Sequence, residues 1–200
     1  MTWLILGLIL FLGPHSVRIF ADDWRTRTIE SIGDKTFKGV YTVLTLLGFY
    51  ALIVGYAEAR MQPIVIWQPP VATRHVSVLL MLFASILLVA AHIPGNHLKL
   101  RLGHPMVLSV KVWALAHLLA NGNLADLVLF GAFLLWSVVI YKTSRARDRL
   151  NAEIAISNGT EATPVAKMSR TLAALVIGTL VWGGITFYLH AIVVGVSPLG

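Results

Sequence analysis

Runs of about 20 apolar residues without a charge recur along this chain, and no other feature limits its fold so tightly. Residues 39–57, GVYTVLTLLGFYALIVGYA, are one such run. As a helix rising about 1.5 Å per residue, a run of that length crosses the roughly 30 Å hydrocarbon layer of a bilayer. Spans are expected at about 2–20, 39–57, 75–93, 104–120, 124–142 and 170–192. The predicted fold is an all-α integral membrane protein, a bundle of about six transmembrane helices, with residues 1–200 as one domain. Composition agrees, at 57% hydrophobic and 12% charged, where a soluble domain carries about a quarter charged residues.

Charge placement orients the spans. The 21–38 loop holds Arg25, Arg27, Lys35 and Lys38, the 94–103 loop holds Lys99 and Arg101, and the region 142–170 holds six more Lys and Arg. The alternate loops hold only Arg60 and Arg74. By the positive-inside rule the basic loops are cytoplasmic and both termini lie on the outer side. The cytoplasmic loop is expected over about 143–169, and its polar part at 151–169, NAEIAISNGTEATPVAKMS, reads as flexible. The net charge of +7 then reports topology and contact with anionic lipid, not nucleic acid. The first residues, MTWLILGLILFLGPHS, lack a basic start and a cleavage site and read as a retained span.

Several chemistries are excluded. Cysteine is absent, so disulfides, thiolate metal sites and cysteine nucleophiles are ruled out. No HExxH, Walker, GxSxG or GxGxxG pattern occurs. The spans hold almost no acid, with Asp126 near an outer end and Glu58 past the second span, which disfavours ion-coupled transport. A membrane methyltransferase would start a helix with Arg-His-Pro, whereas here Gly103 precedes His104-Pro105.

The histidines are the candidate site. His15, His117 and His190 fall within spans, and His75, His92 and His104 at span ends. Ionisable side chains inside a bilayer are costly and mark sites, and neutral histidine is a common ligand of metals and haem iron. His117 shares a helix face with Trp113 and Asn121, four residues to either side. His104 points elsewhere and shares its face with Lys111, which either snorkels to the surface or holds a ligand carboxylate. Arg18, three residues after His15, either holds a carboxylate beside that ring or pairs with Asp22. Pro94-Gly95 marks a turn that His92 and His97 flank.

The stretches PHSxR at the end of the first span, GDKTFKGVYTVLTLLGFYAL into the second, HPMVLSVKVWALAHLLANGN in the fourth and LHAIVVGVSP near the C-terminus resemble the NnrU family. The resemblance covers nearly the whole chain. It implies a multi-pass protein of the bacterial inner membrane, associated with denitrification, that is, with nitrite and nitric oxide reduction. The family is similar in turn to 15-cis-zeta-carotene isomerase, a membrane enzyme whose haem b is held by two histidines. By that resemblance the iron ligands fall on His15 and His117. Arg18 or Lys111 would then meet the haem propionates, and Trp113 would pack on the porphyrin. The isomerase has a cysteine near the position of Ala114.

Depth favours other pairs. His15 lies about five residues from the cytoplasmic end of its span and His117 about 13 from that of its own, a mismatch of roughly 12 Å. His15 with His104, or His117 with His190, match better, while the resemblance ranks His15 with His117 first. The expected function is a haem b protein supporting denitrification, either a redox-linked factor or isomerase-like on a lipophilic substrate. Its expected partners are membrane lipid and either a lipophilic substrate or the denitrification machinery. The alternative is a transporter or assembly factor without haem.

Overall fold

The computed structural model describes residues 1–160 and 165–199. Helices α1 (Thr2–Phe20), α2 (Asp22–Ile32), α3 (Asp34–Met61), α4 (Val71–His92), α5 (His97–Leu102), α6 (Pro105–Ala120), α7 (Leu124–Ser157) and α8 (Met168–Gly184) follow in order. A π-helical turn at Ile185–Leu189 then leads into α9 (His190–Val194). Among the described residues, five helical segments, including Met168–Val194 taken as one, are long and apolar enough to cross a membrane. No more than 28% of the most apolar stretch of any of them is buried. The uncovered apolar surface, such as Leu46, Leu47, Tyr50 and Ile53 on α3, needs lipid to cover it. The chain is a multi-pass membrane protein. The expected fourth span, α6, has 16 residues, about 24 Å at helical rise.

Two expected loops are corrected. Much of 21–38 is α2, a polar 11-residue helix with Asp22 and Asp23 in its first turn, where the helix dipole favours acids. Residues 143–157, expected as loop, continue α7, whose 34 residues extend about 51 Å. That sequence is rich in Arg and Ala and has no Gly or Pro before Gly159, so nothing breaks the helix where the apolar run ends. Residues 161–164 of the expected loop lie outside the described residues.

The chain divides into two compact units, one of residues 1–67 and 122–136, the other of 68–121 and 137–200. In the first, α1 packs along α3 with almost no side chain between them. A Cβ on Gly55 would stand 2.2 Å from Leu4 N, and one on Gly7 2.5 Å from Leu52 N. Small residues permit this approach in membranes, where close packing does the work that the hydrophobic effect does in water. Pro14 lies inside α1 and leaves the Leu10 carbonyl without its helical donor. Gly48 of α3 lies against that carbonyl. The start of α7 is fixed in the same unit. Ile66 and Trp67 N–H both donate to Gly122 O, at 2.8 and 3.1 Å, and Leu124 N–H donates to Ile64 O at 2.8 Å. Asp126, 1% exposed, accepts from Asn123 N and Nδ2 at 3.1 Å each and from the Tyr56 hydroxyl at 2.6 Å.

In the second unit α4 packs on α6 and α8. Ser109 Oγ of α6 donates to Ala84 O, and Trp182 Nε1 of α8 to Val78 O. The end of α4 is capped by other segments. Buried Asn96 donates to the carbonyls of Ala90 and Ile93, Lys99 Nζ to Ala91 O at 2.7 Å, and Arg170 Nη1 to Pro94 O at 2.9 Å. Cations at these carbonyls complement the helix dipole. The turn expected at Pro94-Gly95 is present, with Gly95 at φ +70°.

Candidate functional site

Four histidines share one local device. The Nδ1 atoms of His15, His92 and His117 each face the carbonyl four residues back, Phe11, Leu88 and Trp113, at 2.6, 2.9 and 2.8 Å. His190 Nδ1 faces Val196 O at 2.6 Å. A carbonyl only accepts, so each Nδ1 carries the ring proton and Nε2 carries the lone pair. Backbone bonding of one nitrogen is how ligating histidines are oriented.

The rings stand in different surroundings. His15, in the first unit, lies among Phe11, Tyr41 and Trp136, with ring centroids 4.6, 5.4 and 6.2 Å away. The next residue, Ser16, accepts from Trp136 Nε1 at 3.1 Å and donates to Leu12 O. Arg18 is exposed in the last turn of α1. The other candidates belong to the second unit. His104, before Pro105 at the start of α6, bonds Asp148 Oδ2 through Nε2 at 2.9 Å, and Arg145 approaches the same oxygen at 3.3 Å. Its Nε2 is thus engaged by a carboxylate. His92 is exposed, and His97 is bonded to Thr171 Oγ1.

His117 and His190 line one cleft of about 280 Å³ between α4, α6 and the C-terminal helix. Its walls include Val78, Met81, Trp182 and Ile185, with Arg74 and Asn121 also contributing. Trp113 packs its ring 5.0 Å from that of His117, and Asn121 Nδ2 donates to His117 O, so the shared helix face read from the sequence is present. Lys111, half-buried on α6, is not part of this lining. Two buried hydroxyl residues line the cleft, Ser85 at 5% exposure and Thr186 at 6%. Thr186 sits in the π-helical turn, a feature frequent at functional sites. Arg74 and Thr186 were not singled out from the sequence. The available signal was the spacing of Arg74, Ser77, Met81 and Ser85, which puts polar residues on one face of an apolar helix.

Among the described residues no three His, Asp or Glu side chains gather as a metal site. Two histidines nevertheless suffice for haem, because the porphyrin supplies the other four nitrogens to iron.

Residues 3–198 match the family model described as NnrU protein. The chain belongs to the NnrU family. No curated protein and no solved structure matches it. Membership extends over nearly the whole chain, both units included, and supports a denitrification-associated membrane protein.

Proposed function

We propose that this NnrU-family protein is a haem b protein of the bacterial inner membrane that supports denitrification, with His117 and His190 as the iron ligands. The observation that carries this reading is one cleft lined by two histidines, each with Nδ1–H committed to a backbone carbonyl. That donor set fits an imidazole-ligated iron. A porphyrin is larger than the 280 Å³ of the cleft, so the cleft would enclose part of the ring.

Bound haem supplies one-electron redox chemistry at its iron. The chain's own part is to fix the tautomer of both rings, to set Trp113 beside His117, and to keep water away with Val78, Met81, Trp182 and Ile185. Apolar walls suit an isomerase-like action on a lipophilic substrate entering from the bilayer, or a redox-linked role beside the denitrification machinery. The topology that goes with this reading has six crossings, α6 the shortest, with basic loops in the cytoplasm and both termini outside.

Absorption spectra of the detergent-purified protein, oxidised and reduced, test it. The expected result is a Soret band with sharp reduced α and β bands, lost in His117→Ala and His190→Ala and kept in His15→Ala and His104→Ala. Loss in His15→Ala with retention in His190→Ala returns the ligand pair to the one the family resemblance implies. A colourless protein from haem-sufficient cells removes the haem reading and leaves a transporter or assembly factor.

A further inference from the structure

The cleft beside His117 and His190 is polarised in a way that the two rings do not explain. Arg74 lies in the first turn of α4, which contains no acidic residue. It is exposed, lines the cleft, and forms no ion pair among the described residues. Backbone N–H groups and the dipole at this helix start already favour an anion.

A second group points to the same place. Helices α4 and α8 run antiparallel, since Trp182 Nε1 reaches Val78 O while Thr171 reaches His97 beyond the other end of α4. Arg74 is four residues before Val78, and Thr186 is four after Trp182. The two therefore stand at one level, about a turn beyond the Trp182–Val78 bond. The Thr186 hydroxyl belongs to a residue more than nine-tenths buried that lines the cleft, and has no hydrogen-bond partner among the described residues. That hydroxyl is therefore open to an acceptor placed in the cleft.

We propose that Arg74, aided by the Thr186 hydroxyl, is the carboxylate anchor of the group that His117 and His190 hold. The cleft thus receives an amphiphile with its acidic end at the start of α4 and its apolar body against Val78, Met81 and Trp182. The inference rests on the haem reading, because haem b carries two propionates. Of the two carboxylate partners expected from the sequence, Arg18 and Lys111, Lys111 does not line the cleft. A guanidinium meets a carboxylate through two parallel N–H donors, which an ammonium does not reproduce.

The test is titration of the full-length protein in detergent with ferric haem b and with its dimethyl ester, in which both propionates are blocked, read by the Soret band. Wild type is expected to bind the free acid about tenfold more tightly than the ester. Arg74→Gln should bring the two ligands to near-equal affinity, Arg74→Lys should keep part of the preference, and Thr186→Val should narrow it. Equal affinities in wild type, or an unchanged preference in Arg74→Gln, overturn the anchor and leave the histidine ligands standing. If Arg74→Gln does not fold, an unchanged preference in Thr186→Val overturns it instead. No Soret change with either ligand in wild type overturns the haem reading and the anchor with it.

Discussion

Gly55→Val is expected to unfold the first unit at a much lower temperature than wild type. The Cβ built at Gly55 meets Leu4 N at 2.2 Å and Trp3 C at 2.5 Å, both backbone atoms. Backbone cannot swing aside as the end of a side chain can, so α1 and α3 must separate. Overpacking in cores commonly costs about 1–3 kcal/mol, and a clash with helix backbone belongs at or above the top of that range. Gly39 provides the control on the same helix. It is exposed, with nothing within 4 Å of its Cβ position. Gly39→Ala should be neutral or stabilising by up to about 1 kcal/mol through helix propensity. Thermal unfolding in detergent, followed by the loss of monodisperse protein on size-exclusion chromatography, separates the two. Equal melting of Gly55→Val and wild type would show that the helices do not approach along this seam.

The second large effect is expected at Asp126. Its carboxylate holds the first turn of α7 by accepting from Asn123 N–H, and it also accepts from the Asn123 side chain and the Tyr56 hydroxyl. Asp126→Ala removes all three bonds at a site 1% exposed. Each buried group left unsatisfied costs about 1–3 kcal/mol, and because the three donors are only part-buried the total is expected near the lower bound, about 3 kcal/mol. Tyr56→Phe removes one bond and leaves the carboxylate two donors, so it should cost less. The double variant should be little worse than Asp126→Ala alone, because the Tyr56 bond is already lost there. Additive losses in that cycle would show that the Tyr56–Asp126 bond contributes nothing to stability.

The spans were readable because apolar length is a one-dimensional property: the run expected at 2–20 is α1 itself. The ends of helices were less so. Charge was read as marking where the chain leaves hydrocarbon, at Lys142 to Arg149, but a helix with Arg and Ala recurring continues through that stretch to Ser157. The same reasoning hid α2, whose three large apolar residues, Trp24, Ile29 and Ile32, are too few to read as a span. At the site, the pairing of His117 with Trp113 follows from four-residue spacing and was legible. That His117 and His190 line one cleft depends on how α8 lies against α4, which no local pattern encodes. Depth reasoning offered that pair as an alternative. Arg74 was read only as a loop charge, since its role depends on Thr186, 112 positions away in the sequence.

The π-helical turn at Ile185–Leu189 sets the angular position of everything after it. One residue more than the α-helical turn requires is accommodated there. Deleting a single residue from ITFYL would let α8 run on as plain α-helix. The widened turn would close, and His190 would keep close to its present angle about the axis, on the wall it shares with His117. A one-residue deletion earlier in α8, in plain α-helix, would instead rotate His190 by about 100° about the axis. The π turn is therefore the place where this helix accepts a change of one residue in length without turning its histidine away from the cleft.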